Sequence, residues 1–428
     1  MGDTKKLISN SLIVFVGTII GSVFAYLFNM LMGRMLGPAQ YGEMTAVMSL
    51  LMITSVGGGA ILTVVMKYSG EIYHSGSSAS LIKLIKVFSK FVFFLGMICL
   101  LIGLALAKPI SSFFRIEHLT PVIIAFLSFI FGFMILVNKG VLQGTQRFIA
   151  LSLVGILETG LRLIIGIALV KIGLGVGGAI SAIVLATAIA YIFTFWPIAR
   201  VIKENKKNKE GGLFQFNKKE ILSYTWPTTI TMFLLMLALN VDIIFIKHLF
   251  PSGDAGIYAA ISTIGKIILY GTAPVVAVMF PMISERKIKG DKHYIVFIFS
   301  LILTILGGLV ILGIFSVAPS KVIALLYGSQ YIGFYYLLPE VGLFILFYTL
   351  VNLISNYFLA VKDFVFLWMF IPVLLAQVVI ILLWHPSIVV VVRILIMTLG
   401  LLFGLLMSYY LYTKREQIKL MFRGENGE

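Results

Sequence analysis

Three charged residues stand near the middle of long apolar runs, and a fourth lies close to the end of another. In "GILETGLRLIIGIAL" (155–169) Glu158 and Arg162 are one helical turn apart. In "IYAAISTIGKIILYGTAP" (257–274) Lys266 has Ser262 and Tyr270 on its side of a helix. Asp242 lies five residues before Lys247 in another run. Bilayer hydrocarbon penalises an ionised side chain by roughly 2.5–3.5 kcal/mol on insertion scales, so each such charge needs a partner or water. Arginine offers a planar fork and lysine a point charge to phosphate oxygens. The chemistry these residues suit is therefore anion binding at mid-depth, with Glu158 and Asp242 as candidates for coupling to a proton or sodium ion.

Each residue also has a plain structural reading. Glu158 and Arg162 form either a self-neutralising pair at a helix interface or a cavity wall on which Glu158 fixes the arginine. Lys266 lines a water-filled path or pairs with Glu158. Asp242 pairs with Lys247 or His248, or is solvated near a helix end, unless it serves ion coupling. Arg34, in "GRMLGPAQYG", makes a helix-end contact or steers phosphate at an outward mouth. Glu340 and Arg393 read as charges at outer helix ends.

The elements that position these residues are membrane helices. Of 428 residues 60% are hydrophobic and 12% charged, too few charges to cover a soluble surface. Runs long enough to cross about 30 Å of hydrocarbon recur at 8–32, 43–66, 86–107, 119–138, 148–170 and 174–198, then at 220–247, 254–280, 293–316, 336–360, 364–384 and 388–412. The fold expected is an all-α polytopic membrane protein of about twelve transmembrane helices in two six-helix bundles. The N-lobe spans 1–199, a basic cytoplasmic linker 200–219, the C-lobe 220–413 and a cytoplasmic tail 414–428. An even number of spans per lobe predicts a pseudo-two-fold axis along the membrane normal. The run after Lys5 and Lys6 continues to Met32 without a small-residue cleavage site, so it reads as a first span.

Charge sets the orientation. Of 33 Lys and Arg, seven fall on outer segments (Arg34, Lys108, Arg115, Lys171, Lys247, Lys321, Arg393) and two, Arg162 and Lys266, within spans. The other 24 lie on segments, 139–147 among them, that this bias assigns to the cytoplasm, with both termini inside. The net charge of +16 then faces an anionic leaflet and implies no nucleic acid. The one cysteine, Cys99, reads as a small core residue, and the five histidines lack metal-ligand spacing. No metal or cofactor is expected.

A shift of 214 residues lays "MLGPAQYGEMTAVMSL" (35–50) over "LFPSGDAGIYAAISTI" (249–264), matching Gly42 with Gly256, Ala46 with Ala260 and, further on, Glu71 with Glu285. Gly17 and Gly21 form a small-xxx-small pair suited to close helix contact. "GLGVGG" (173–178) reads as a tight turn between spans rather than a dinucleotide loop.

"GRMLGPAQYG", "DIIFIKHLFPSGDAGIYAA", "FPMISE" (280–285), "LLYGSQY" (325–331) and "FLAVKD" (358–363) follow one another along the whole chain. In their order and spacing they resemble the polysaccharide transporter (lipid-linked oligosaccharide flippase) family of the multidrug/oligosaccharidyl-lipid/polysaccharide exporter superfamily. The resemblance implies two bundles forming a V around a cavity that opens alternately to each side of the cell membrane. It implies movement of a polyprenyl-pyrophosphate-linked glycan, amid membrane lipids, from the cytoplasmic to the outer leaflet. Lys266, Arg162 and Arg34 are then the candidate anion site, with Glu158, Asp242, Ser262 and Tyr270 as cavity or coupling candidates.

Two other classes compete. A cation-coupled multidrug antiporter of the same superfamily needs an acid deep in its first bundle, and the only one there, Glu158, stands beside an arginine. A membrane glycan polymerase or ligase presents catalytic groups on a large outer loop. The longest outer connection here, 317–335, carries one lysine and no acid, and the chain holds no nucleophile–base pair, so no enzyme is expected.

Overall fold

The computed structural model describes residues 2–74, 78–205, 218–289 and 293–422. Among them the chain forms α1 (Gly2–Thr54), α2 (Gly57–His74), α3 (Ser78–Phe114), α4 (Thr120–Gly144), α5 (Phe148–Lys171), α6 (Gly175–Asn205), α7 (Lys218–Leu249), α8 (Ser252–Gly265), α9 (Ile267–Lys289), α10 (His293–Val317), α11 (Pro319–Tyr327), α12 (Leu337–Ala360), α13 (Leu367–Leu383) and α14 (Ile388–Phe422). A 3-10 turn covers Ser329–Phe334. The expected linker is helical to Asn205 and again from Lys218. Its centre, 206–217, lies outside the described residues, as does the end of the tail.

Ten helical segments are long and apolar enough to cross a membrane. The first, Ile13–Thr54, holds the first span and the start of the second on either side of a kink at Gly37, and the 17-residue α13 is a shorter apolar helix. Ten segments thus carry eleven crossings and α13 adds the twelfth. The kink has a local cause. Gly37 sits at φ 73°, ψ 170°, a backbone conformation open to glycine, and Pro38 withholds an N–H and disfavours helix at the residue before it.

Several elements differ from the sequence expectation. The second span is broken at Ser55–Val56, where Thr54 and Ser55 hydroxyls donate back to Leu50 O (2.8 Å) and Met52 O (2.9 Å) just before three glycines. Back-bonding hydroxyls and glycine both weaken a helix. The eighth span is interrupted at Lys266, between α8 and α9. Residues 139–144, expected in a loop, complete α4, so Lys139 is a helix residue. The connection 317–335 is ordered as α11 and the 3-10 turn. Of the segment 173–178, expected as a turn, Gly173 (φ 93°) and Leu174 lie between the helices and Gly175 (φ 51°) to Gly178 already open α6.

The chain forms two compact units. Unit 1 comprises Met1–Thr229 with Phe250–Ala260 and Leu326–Tyr331; unit 2 comprises Ile230–Leu249, Ile261–Leu325 and Ile332–Glu428. In unit 1, α1 lies on α5, α5 and α4 lie on α6, and α4 also packs α2 and α3. In unit 2, α12 is the central helix, packed by α9, α10 and α14.

Two short pieces from late in the chain complete unit 1 at the α1 kink. Tyr41, Tyr327 and Tyr331 are fully buried there. The hydroxyls of Tyr41 and Tyr327 are 3.0 Å apart, and Tyr331 donates to Gly33 O at 2.6 Å. Burial, and then the neighbouring Tyr41, push the Tyr331 phenol above its ordinary pKa. Gly42 and Gly256, matched by the internal repeat, meet each other. A Cβ on Gly42 would lie 2.9 Å from Gly256 Cα, and one on Gly256 would lie 1.7 Å from Pro38 O.

Candidate functional site

In unit 1, α4 and α5 run antiparallel after a short turn, which brings Lys139, near the end of α4, level with Glu158 on α5. Lys139 Nζ lies 2.7 Å from Glu158 Oε2. From α6, Thr187 donates its hydroxyl to Glu158 Oε1 at 3.1 Å. Arg162 Nη2 is 3.8 Å from the same Oε1, an ion pair beyond hydrogen-bond length. Its Nε is buried without a hydrogen-bond partner. One carboxylate therefore faces two cations, and the better-placed donors, Lys139 and the Thr187 hydroxyl, satisfy it first. Arg162 keeps donors to spare, in surroundings where an unused donor is costly.

Lys139, Glu158 and Arg162 line a cavity of about 360 Å³ between α1 and α5. Its α1 wall is Val14, Gly17, Thr18, Gly21, Ser22 and Ala25, all on one arc at 3.6 residues per turn. The opposite arc of α1 is exposed Phe15, Val16, Ile19, Ile20 and Val23. Helix α1 thus presents small and hydroxylated residues to the cavity and branched or aromatic ones outward. Gly17 lets the two helices approach: a Cβ there would lie 2.5 Å from Ser152 Cβ. On α5 the wall continues through Ser152, Gly155 and Thr159. The site is polar, wide enough for water, and carries an excess of one positive charge from Lys139, Glu158 and Arg162.

The other residues expected from sequence lie elsewhere. In unit 2, Asp242 is fully buried on α7, not solvated at a helix end, and accepts from Ser262 of α8 at 2.7 Å. Lys266, at 7% exposure, is enclosed: Nζ donates to Asn240 Oδ1 at 3.4 Å, within coulombic reach of Asp242. Tyr270 is half exposed on α9. Arg34 is exposed and donates its Nε to Leu326 O at 2.9 Å, tying the strap Leu326–Tyr331 to the α1 kink. Glu340 and Arg393 form a two-point pair at 3.0 and 3.2 Å. Glu158 is engaged by Lys139, Thr187 and Arg162 of its own unit. Among the described residues no cluster of His, Cys, Asp or Glu has metal-binding geometry.

Sequence reasoning missed Lys139, Thr187 and the α1 wall. For Thr18, Ser22 and Ala25 the signal was present, as small or polar residues at spacings of three and four. Lys139 was masked by its nearness to a span end, where a lysine reads as loop.

A family profile described as polysaccharide biosynthesis protein matches residues 7–287. An uncharacterized membrane protein of Methanocaldococcus jannaschii is 27% identical over 158 residues, 35% of this chain. The chain spans 38% of the length of that relative. Among solved structures, the inward-facing conformation of a multidrug resistance MATE family transporter of the MOP superfamily aligns with TM-score 0.69 and 14% identity, over 96% of this chain and 99% of that one. The MATE multidrug transporter DinF-BH aligns with TM-score 0.66 and 13% identity over 96% of each. A MOP superfamily transporter from Pyrococcus furiosus aligns with TM-score 0.60 and 14% identity over 94% of each. The chain has the fold of those transporters.

Proposed function

The chain belongs to the polysaccharide biosynthesis protein family, and from that premise we propose that it is a membrane exporter carrying a polyprenyl-pyrophosphate-linked oligosaccharide from the cytoplasmic to the outer leaflet. The observation that supports this most is the cation excess of the α4–α5 cluster, with Arg162 unsatisfied beside a wet cavity. A diphosphate is the ligand chemistry such a site suits: its oxygens accept charge-assisted bonds from the arginine fork. Lys139 stands at the other side of Glu158 as the second cation. The lipid tail needs no such shelter and stays in hydrocarbon. In this reading Arg162 and Lys139 meet the headgroup, Glu158 positions both, and Arg34 secures the outer strap.

Lys266 and Asp242 enter the proposal differently. Enclosed in unit 2, they hold α7 against α8, and Asp242 with Ser262 is the candidate for a coupling proton or sodium ion. The charge bias of the sequence supports cytoplasmic termini in a cell membrane. Export rather than catalysis is the reading, since among the described residues no cluster suggests bond-making chemistry. A cationic drug is a poor match for a cavity with surplus positive charge.

Reconstituted vesicles loaded with a fluorescent polyprenyl-diphosphate oligosaccharide test the reading. Wild-type protein should expose the label to an external quencher and Arg162→Gln should not. Equal exposure by both proteins would remove Arg162 from the site, and none by either would remove the substrate class.

A further inference from the structure

Helix α6 carries an unpartnered stripe along its outward side. Leu185, Ile189, Ile192 and Trp196 are exposed and follow one another at intervals of four, three and four, the spacing of one helical face. The next positions on that face are Arg200 and Lys203, both exposed. The Arg200 guanidinium lies over the Trp196 ring, Cζ 3.9 Å from its centroid. The nearest acid on the helix, Glu204, is turned to Arg147, which pairs with its carboxylate and also reaches the Tyr73 hydroxyl at 3.2 Å. Among the described residues, Arg200 and Lys203 have no carboxylate partner.

We propose that this stripe binds an anionic phospholipid, with its acyl chains along Leu185, Ile189 and Ile192 and its phosphate held by Arg200 and Lys203. The order of residues along the helix is the order of a lipid: three apolar turns, an indole at headgroup level, then two cations. Stacking on Trp196 fixes the guanidinium plane while leaving its edge donors free for phosphate oxygens. The charge bias assigns this end of α6 to the cytoplasmic leaflet, where anionic lipids attract juxtamembrane basic residues. The Arg147–Glu204 pair removes the one carboxylate that could neutralise Arg200 along the helix. The inference stands apart from what the protein exports.

The test uses the full chain in nanodiscs of phosphatidylcholine alone or mixed with phosphatidylglycerol, read by native mass spectrometry and by melting. Wild type should retain phosphatidylglycerol in preference to phosphatidylcholine and melt higher when it is present. Arg200→Gln with Lys203→Gln should lose both effects, and Trp196→Leu should lose part of each. The proposal is overturned if the double variant retains phosphatidylglycerol like wild type, if the two lipids are retained equally, or if inorganic phosphate alone reproduces the melting shift. Should the double variant melt lower in phosphatidylcholine alone, Arg200→Lys decides, since it keeps the charge and loses the stack. Weaker retention then supports the site and unchanged retention overturns it.

Discussion

The two units each hold a cation among polar neighbours within a membrane span, and they treat it differently. In unit 1, Lys139, Glu158 and Arg162 carry two positive charges against one negative and border a cavity of about 360 Å³. In unit 2, Lys266 is within coulombic reach of Asp242, donates to Asn240, and is buried, while Ser262 donates to the Asp242 carboxylate. Position along a helix does not separate the two, because Lys139 stands near the end of α4 and Lys266 between α8 and α9. Enclosure and the charge excess do. An enclosed group holds helices together, whereas a cation excess bordering a cavity has capacity left for a ligand.

That contrast breaks most readily at Lys266. Lys266→Ala removes a buried cation within coulombic reach of Asp242 and the donor to Asn240 Oδ1, a loss on the order of 3 kcal/mol for a buried charged group. Folded protein in membranes and its melting temperature should fall sharply, and Lys266→Met with Asp242→Asn should recover much of both. A Lys266→Ala protein that folds normally and fails only in export would erase the distinction between the units. Next in size is Arg162→Gln. Hydrogen bonds to charged groups contribute about 1.5–3 kcal/mol, so glycan-lipid export should drop roughly ten- to hundredfold, 1.4 kcal/mol being a factor of ten. Its melting should barely move, because Glu158 keeps Lys139 and Thr187.

Lys139→Gln sharpens the comparison from inside unit 1. Glu158 then turns to Arg162, the surplus charge disappears, and export should fall several-fold; Lys139→Gln with Glu158→Gln, which restores the surplus on Arg162, should regain part of it. The smallest change is expected at the strap Leu326–Tyr331, which contributes no residue to the α4–α5 cluster. Tyr331→Phe removes the 2.6 Å bond to Gly33 O and should cost about 0.5–1.5 kcal/mol in a melting experiment, with export unchanged. Because the folded Tyr331 holds its proton more tightly than the unfolded one, its contribution is complete below about pH 10 and is lost as pH rises toward the folded value. The phenylalanine variant should therefore lose less stability than wild type between neutral pH and strong alkali.

Hydropathy alone located the spans because long apolar runs have one physical use. The kink at Gly37–Pro38 and the break after Ile172 are written in residues with special backbone preferences, the freedom of glycine and the rigidity of proline. The Glu158–Arg162 spacing was legible too, since one helix is its own ruler. What escaped was register between helices. Lys139 and Glu158 are 19 residues apart, and nothing in a linear chain says that α4 continues to Gly144 and delivers Lys139 to α5. Burial at Lys266 was equally hidden, because Asn240 and Asp242 reach it from another helix. The same limit applied to Glu204 and Arg147, whose pairing leaves Arg200 to the lipid.

Gly42 and Gly256 offer a last consequence. A Cβ on Gly42 would crowd the Gly256 backbone, and one on Gly256 would crowd the Pro38 carbonyl beside the kink. A larger residue at either place therefore has to move main chain rather than a side chain, which is the costliest kind of accommodation. Two bare backbones and one proline carbonyl act there as a single fitted joint.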